Sequence, residues 1–111
     1  MSVGYRAAFL KNGFRIRIPY ERWIHITESH DNMAGQIDLV VVTLEDPDYV
    51  IQGWDDEIIA LKEYHPINSR ETYLVVVYKN EENGFVITSF MTTKPKKIMK
   101  RGIIWKKSPE K

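Results

Sequence analysis

Two strand-forming stretches joined by one polar turn constrain the fold of this chain more than any other feature. Residues Thr72 to Lys79 are nearly all β-branched or aromatic, which predicts a central strand buried on both faces. The run Asn80 to Gly84 ends in an Asn-Gly pair, which would supply the positive φ angles of a hairpin turn. Phe85 to Thr92 again has the composition of a strand. The sequence therefore predicts an antiparallel hairpin over residues 72–92.

Two amphipathic helices are predicted before the hairpin. The first covers Tyr20 to Ser29, directly after Pro19, and the second covers about Met33 to Glu45. On each helix, apolar residues recur three and four positions apart, which places them on one face. They are Trp23 and Ile26 on the first helix, and Ile37, Val40, Val41 and Leu44 on the second. A strand whose apolar and basic residues alternate, Phe14 to Ile18, is predicted to pair at a sheet edge.

Further strands are predicted at Tyr49 to Gln52, Glu57 to Tyr64 and Gly102 to Lys106. Because helices and strands are segregated along the chain rather than alternating, the sequence predicts an α+β fold. In this fold, two N-terminal helices pack across one face of a four- to five-stranded antiparallel sheet. A length of 111 residues fits one domain, which we expect to span 1–111 with a core over about 14–105.

The basic C-terminal segment, residues 94–111, creates a charge asymmetry that the formal net charge of +1 conceals. It contains eight of the sixteen Lys and Arg residues but only one carboxylate, Glu110. Such an asymmetry predicts a polyanion or an acidic protein as partner, and a solvated tail is the alternative. The sequence Ile103-Ile104-Trp105 indicates that part of the segment docks on the domain. Trp23 and Trp105 are both predicted to be core anchors.

Several classes of protein are excluded or disfavoured by what the chain lacks. It contains no cysteine, which excludes a thiolate nucleophile, a disulfide framework and a zinc-thiolate site. No apolar run approaches the roughly 20 residues that span a bilayer, and no apolar leader follows the first residues. We therefore expect a cytoplasmic protein without a membrane partner. His25 and His30 are five positions apart, a spacing that does not keep both on one side of a helix, so we expect no metal site. The chain also lacks a phosphate-binding glycine loop, and we expect no cofactor.

The remaining polar residues suit the cleavage of RNA by its own 2′-hydroxyl. This reaction needs groups that remove and donate a proton, and groups that neutralise charge on the phosphate. Imidazole, with an ordinary pKa of about 6.5, performs either proton transfer near neutral pH. The candidate catalytic residues are His25, His30, Thr88 and Lys62, and the candidate substrate-binding residues are Arg15, Arg17, Arg70, Tyr78 and Lys94.

These candidates also have structural interpretations. His30 shares a helix face with Trp23, as a histidine at the edge of the core would. Lys62 interrupts an apolar strand face, so it either lines the rim of a pocket or extends its stem along the core with its charge in water. Arg15 and Arg17 either line an RNA-binding surface or protect a sheet edge.

Six short motifs in a fixed order over residues 14–105 resemble the phage-associated barnase/colicin/RelE-like nucleases, a family with the BECR-type ribonuclease fold. The motifs are Glu21-Arg22-Trp23-Ile24-His25-Ile26, His30-Asp31, Asp46-Pro47-Asp48, Tyr73-Leu74-Val75-Val76-Val77-Tyr78, Gly84-Phe85-Val86-Ile87-Thr88-Ser89-Phe90 and Ile103-Ile104-Trp105. The resemblance implies a compact fold of helices on a sheet and a metal-independent ribonuclease activity, often in toxin or phage contexts.

The resemblance also implies roles for individual positions. His25 and His30 match the family's helix histidines, and Thr88 matches the polar position of its Ile-Thr strand motif. Ser89 stands where that motif usually has Ala, and Asp31-Asn32 replaces a common Pro-Glu. We therefore expect a toxin-type endoribonuclease with RNA as substrate and a small acidic antitoxin-like protein as a candidate partner. The alternative is a non-catalytic module that binds nucleic acid or protein through its basic segment.

Overall fold

The chain folds around one mixed sheet. The computed structural model describes residues 4–64 and 72–108. The strands within these ranges are β1 (Gly4–Phe9), β2 (Arg15–Pro19), β3 (Tyr49–Gln52), β4 (Glu57–Tyr64), β5 (Thr72–Lys79), β6 (Gly84–Thr92) and β7 (Ile103–Lys106). The helices are α1 (Tyr20–Ser29), α2 (Ile37–Glu45) and α3 (Lys96–Met99), with a 3₁₀ turn, Asp31–Met33, between α1 and α2.

The strand order is β1-β2-β6-β5-β4-β3-β7, so β5 lies at the centre of the sheet as predicted. All neighbouring strands are antiparallel except β2 and β6, which are parallel. The α+β class is confirmed, but the expected four or five strands are seven in the described ranges. The prediction that the strand near Phe14 to Ile18 lies at an edge is wrong, because β1 covers the outer side of β2. The sequence of β1, Gly-Tyr-Arg-Ala-Ala-Phe, alternates too irregularly to predict a strand.

The two predicted helices are present with one change of boundary. α1 has the predicted bounds, whereas α2 begins at Ile37 rather than near Met33. Gly35 has a φ of 80°, a left-handed conformation that interrupts a right-handed helix and that glycine adopts without strain. Val40 and Leu44 of the shortened helix are still buried against the sheet.

The turn of the central hairpin uses its two last residues in different ways. Asn83 has the predicted positive φ, 63°, but Gly84 does not. A Cβ atom on Gly84 would instead overlap the carbonyl oxygen of Lys79. Glycine is therefore required at this position because the two strands approach closely, and not because of its own dihedral angle.

The two faces of the sheet are covered differently. On the first face, α1 and α2 pack over the larger core, to which β5 contributes Leu74 and Val76. The second face carries a smaller cluster that includes Val75 of the same strand, and α3 packs on this cluster through Ile98 and Met99. The two longer helices thus leave the second face accessible beside β6.

The basic segment docks on the domain in part, as predicted, because β7 pairs with β3 and α3 packs on the second face. Trp23 is a core anchor and is 7% exposed. The same prediction for Trp105 is wrong, since this side chain is 41% exposed on the outermost strand. Among the described residues, no helix has the length and apolar character needed to cross a membrane.

Candidate active site

Thr88 lies on the second face of the sheet, in the middle of β6. Directly paired residues of antiparallel strands share a face, and Thr88 pairs with Val77 while Phe90 pairs with Val75. Val75, Val77 and Phe90 all belong to the second-face cluster. Thr88 is half-buried, so a ligand lying along β6 on this face would meet its hydroxyl group.

A β-bulge immediately before Thr88 sets this orientation. Val86 pairs with Tyr78 and Thr88 pairs with Val77, so Ile87 has no partner on β5. Val86 is buried in the first-face core, which puts Phe85 on the second face. Regular alternation from Phe85 would turn Thr88 toward the first face, and the extra residue brings both onto the second. Bulges are common next to active sites for this reason.

Arg17 joins this face from the neighbouring strand β2. Ile16 and Ile18 on either side of it are fully buried in the first-face core, so alternation directs Arg17 to the second face. Its guanidinium carbon lies 5.8 Å from the centre of the Phe85 ring. Its Nη2 also donates a hydrogen bond to the carbonyl oxygen of Asn83 at 3.4 Å. Two contacts thus fix the guanidinium beside the start of β6.

The N-terminal half of α1 completes a groove at this end of β6. The groove has a volume of about 440 Å³ and is lined by Arg17, Pro19, Glu21, Arg22, His25 and Phe85. Glu21 and His25 are one helical turn apart, which places their Cβ atoms about 5–6 Å from each other. Neither they nor Arg22 form an ion pair or a side-chain hydrogen bond with any described residue. The groove therefore presents a carboxylate, an imidazole and two guanidinium groups to a ligand.

Four residues of this groove, Pro19, Glu21, Arg22 and Phe85, are not among the candidates that the sequence suggested. The spacing of Glu21 and His25 is a signal that the sequence does contain, because residues four apart on a helix share a face. The contribution of Phe85 could not be read in this way, since it depends on the parallel pairing of β2 with β6.

His30 lies at the other end of α1. Its backbone N–H donates to the carbonyl oxygen of Ile26 and ends the helix. Its half-buried ring lies 5.6 Å from the ring of Phe90, measured between ring centres. His25 and His30 thus accompany Phe85 and Phe90, the two aromatic residues on either side of Thr88. We name this set the α1–β6 surface, which consists of Arg17, Glu21, Arg22, His25, His30, Phe85, Thr88 and Phe90.

Lys62 lies elsewhere, on the first face, where it pairs with Leu74. Its ammonium group donates to the carbonyl oxygen of Asp46 at 2.9 Å and to the carboxylate of the same residue at 3.3 Å. Lys107 binds that carboxylate as well, at 3.3 Å. The structure does not bring Lys62 to the α1–β6 surface, and it gives this residue a role in holding the turn between α2 and β3.

The contacts around Asp46 lower the pKa of its carboxyl group. Partial removal from water is the largest single influence and raises the pKa. The hydrogen bond from Lys107 and the charge and hydrogen bond of Lys62 act in the opposite direction and together outweigh it. The folded chain therefore favours the ionised carboxylate at this turn.

Tyr78 also lies on the first face, where it is 4% exposed and where burial raises the pKa of its hydroxyl group to about 12. It lines a separate cavity of about 340 Å³ together with Leu44 and Trp105. The structure thus separates Tyr78 from the α1–β6 surface by the thickness of the sheet.

The three remaining substrate-binding candidates lie in different places. Arg15 is exposed on β2, on the same side as Arg17 by alternation. Lys94 follows the end of β6 and lines a groove of about 490 Å³ with Tyr73, Thr93, Pro95, Lys96 and Lys97. Arg70 lies outside the described residues.

Residues 4–64 and 72–108 contain no group of three or more His, Asp or Glu side chains placed to hold a metal ion. The two described histidines accompany different residues of β6. Independence of a metal and of any other cofactor remains a prediction, which activity in the presence of a chelator can test.

Comparison with known protein families identifies one match. One family model, described as phage-Barnase-EndoU-ColicinE5/D-RelE like nuclease2, matches residues 6–106. The chain belongs to this nuclease family. The resemblance carried by the sequence motifs is thereby confirmed, and a nucleic acid becomes the expected substrate. No curated protein and no solved structure is significantly similar to the chain.

The range matched by the family model contains all eight residues of the α1–β6 surface. The same range also contains Lys62, Tyr78 and Lys94, which lie apart from that surface. The family therefore supports a nuclease, and the geometry of this chain distinguishes among its candidate residues.

Proposed function

We propose that this protein is an endoribonuclease that cleaves RNA through attack of the 2′-hydroxyl on the adjacent phosphate, without a metal ion. The observation that carries the proposal is the groove in which Glu21 and His25 lie one helical turn apart, beside Arg17 and Arg22. Membership of the nuclease family supports a nucleic acid as substrate. The mechanism restricts that substrate to RNA, because DNA lacks the attacking hydroxyl group.

Glu21 and His25 supply the two proton transfers. The ionised carboxylate of Glu21 accepts the proton of the 2′-hydroxyl while the 2′-oxygen forms a bond to phosphorus. The bond between phosphorus and the 5′-oxygen breaks, and His25, as an imidazolium, donates a proton to that oxygen. The products are a 2′,3′-cyclic phosphate and a 5′-hydroxyl end. This mechanism retains the role predicted for His25 and assigns the base to Glu21.

Positive charge and hydrogen-bond donors stabilise the phosphate as its negative charge increases. Arg17 and Arg22 line the same groove as the proton-transfer pair, and guanidinium groups bind phosphate oxygens in pairs of hydrogen bonds. The partial positive charge at the N-terminal end of α1 adds to this field. The hydroxyl of Thr88, on the same face of β6, donates a further hydrogen bond.

The aromatic residues of β6 favour a single-stranded substrate. The rings of Phe85 and Phe90 lie on the accessible face of the strand, and unpaired bases stack on such rings. The nine residues of β6 extend for about 30 Å and lead from Arg17 to the groove lined by Lys94 and its neighbours. His30 contacts the ring of Phe90 and takes part in binding the nucleotide stacked there.

The test is cleavage of a set of single-stranded RNAs by the purified protein in EDTA, with analysis of the product ends. We expect cyclic phosphate and 5′-hydroxyl ends. We expect His25→Ala and Glu21→Gln each to reduce the rate by about 10²- to 10⁴-fold without changing the thermal unfolding temperature. Glu28→Gln is the matched control, because Glu28 is an exposed carboxylate on the same helix that does not line the groove.

Four outcomes would contradict the proposal. They are no cleavage of any RNA, cleavage that requires a divalent metal, products with a 3′-hydroxyl, and full activity in both groove variants. The variant His30→Ala distinguishes the two histidines. Loss of rate at saturating RNA, rather than weaker binding, would give His30 the acid–base role that the sequence predicted for it.

A second candidate function is binding of nucleic acid without cleavage. It is favoured by the groove at Lys94, which combines three lysines with Tyr73 but has no acid–base pair. It predicts affinity for RNA that falls steeply with salt and survives the loss of His25 and His30.

A toxin-type role with a small acidic protein partner remains part of the main proposal, because the cations of the basic segment suit such a partner.

A further inference from the structure

The last strand of the sheet carries an apolar patch that the α1–β6 surface does not use. Ile103, Ile104 and Trp105 on β7 are 47%, 54% and 41% exposed, and Trp54 in the turn before β4 is 69% exposed. Ile103 pairs with Ile51 of the second-face cluster, whereas Trp105 lines the first-face cavity, so the exposed apolar residues of β7 lie along both sides of the strand. Large apolar side chains exposed along a strand and in the turn beside it are a candidate interaction site. We name these four residues and Arg101 the β7 patch.

Among residues 4–64 and 72–108, no strand pairs with the outer side of β7. This strand pairs with β3 on its inner side and is the last strand in the sheet order. Alternate N–H and C=O groups of an edge strand point outward and form a template for a further strand. The apolar side chains of β7 would be covered by the same addition.

The corner of the patch beside β7 is held rigidly before any partner binds. The guanidinium carbon of Arg101 lies 4.4 Å from the centre of the Trp54 ring, and its Nε donates to the carbonyl oxygen of Gln52 at 3.1 Å. The N–H of Gln52 donates to the carbonyl oxygen of Gly102 at 2.9 Å. Trp and Arg are the residues that most often dominate the binding energy of protein interfaces, and here they are pre-arranged.

Charge at both ends of β7 defines the kind of partner. Four cations flank the strand, namely Lys100, Arg101, Lys106 and Lys107. Lys100 and Lys106 form no ion pair with any described residue. Of the three carboxylates that follow Trp54, namely Asp55, Asp56 and Glu57, Asp56 is already bound by Lys79 at 2.6 Å. In a second copy paired antiparallel along β7, the cations at one end of the strand would lie beside the cations at the other end of its partner strand, which is unfavourable.

We propose that β7 is the docking strand for an extended acidic segment of a partner protein, which adds to the sheet beside β7. Its carboxylates meet the cations at the two ends of the strand, and its apolar residues cover Ile104 and Trp54. This inference identifies the binding site of the acidic partner named with the proposed function. It does not depend on cleavage of RNA, so either can fail without the other.

The test uses a short synthetic peptide that alternates Glu and Val, and a matched peptide with Lys in place of every Glu. Binding to the ¹⁵N-labelled full chain is followed by amide chemical shifts. We expect the acidic peptide to bind about tenfold more tightly or better, with the largest shifts at Ile103 to Lys106. The variant Ile104→Glu should abolish this preference, because it places a carboxylate among the cations of β7. Phe9→Glu is the matched control, because Phe9 is a similarly exposed apolar residue on β1 at the opposite edge.

Several results would overturn the docking proposal. Equal affinity for the two peptides, or shifts confined to the α1–β6 surface, would remove its basis. A dimer in sedimentation that Ile104→Glu dissolves would assign β7 to a second copy. A loss of RNA affinity in Lys100→Glu and Lys106→Glu would assign it to nucleic acid. Cleavage of RNA by Ile104→Glu at the unaltered rate is expected, and it separates this site from the nuclease site.

Discussion

The two faces of the sheet use polar residues in opposite ways. On the first face, Lys62 is bound to Asp46, and the buried hydroxyl of Ser89 donates to the carbonyl oxygen of Val75 at 2.7 Å. On the side of the second face, Glu21 and His25 have no such bonds with described residues. Polar groups whose bonds are complete within the chain stabilise the fold, and groups left without them at an accessible groove are available to a ligand.

Truncation of two residues on opposite faces of β5 gives the largest expected contrast in stability. Leu74→Ala removes a residue of the first-face core that is 1% exposed, and we expect it to lower the free energy of unfolding by about 2–5 kcal/mol. Val77→Ala removes a half-buried residue of the second face, for which we expect about 1 kcal/mol. Urea denaturation measures both. Equal losses would indicate that the second face is as well covered in solution as the first.

Local features of the sequence predicted much of this arrangement. The bounds of α1 follow from apolar spacing and Pro19, and the hairpin of β5 and β6 follows from composition and its turn. These signals lie within a few residues of each other. They also place His25 away from the apolar face of α1, and the structure has this residue exposed there.

Non-local features could not be predicted in the same way. The parallel pairing of β2 with β6 joins residues far apart in the chain and brings Arg17 to Phe85. The bulge at Ile87 reverses the face of Thr88, so Val86 and Thr88 do not share a side as strict alternation suggests. Lys62 needed a partner, and the sequence alone did not identify Asp46 as that partner.

Substitutions of Arg22 and Lys62 are expected to separate activity from stability, because each should change one of the two properties and leave the other unaltered. Arg22→Ala should lower the rate of RNA cleavage by about 10- to 100-fold, because a charged hydrogen bond to the phosphate is lost. It should leave the free energy of unfolding unchanged within about 0.5 kcal/mol. Lys62→Ala should lower that free energy by about 1–2 kcal/mol and leave the rate unchanged. Cleavage assays and urea denaturation on the same preparations test both expectations.

The opposite pattern would reverse the assignment of the two residues. A slower reaction in Lys62→Ala, with normal stability, would support the catalytic role that the sequence predicted for this lysine. Loss of stability in Arg22→Ala would indicate that its guanidinium has structural contacts in solution.

The smallest expected effect is the change in the free energy of unfolding at acidic pH that Asp46 causes. It concerns the first face alone. Because the pKa of Asp46 in the folded chain is lowered from its ordinary 3.8, its ion pairs contribute fully above about pH 4. This contribution is lost as the pH falls through the lower folded-state value. The Asp46 side chain is 44% exposed, so water and salt screen the pairs and the effect is small.

The measurement compares urea denaturation of the native chain and of Asp46→Asn between pH 7 and pH 3. We expect the variant to be less stable at pH 7 and the difference to shrink as the pH falls through the acidic range. Glu82→Gln, a change at an exposed carboxylate of the hairpin turn, should not alter the slope. An undiminished difference at low pH would mean that Asp46 acts through neutral hydrogen bonds. Charge pairing would then no longer distinguish the first face from the second.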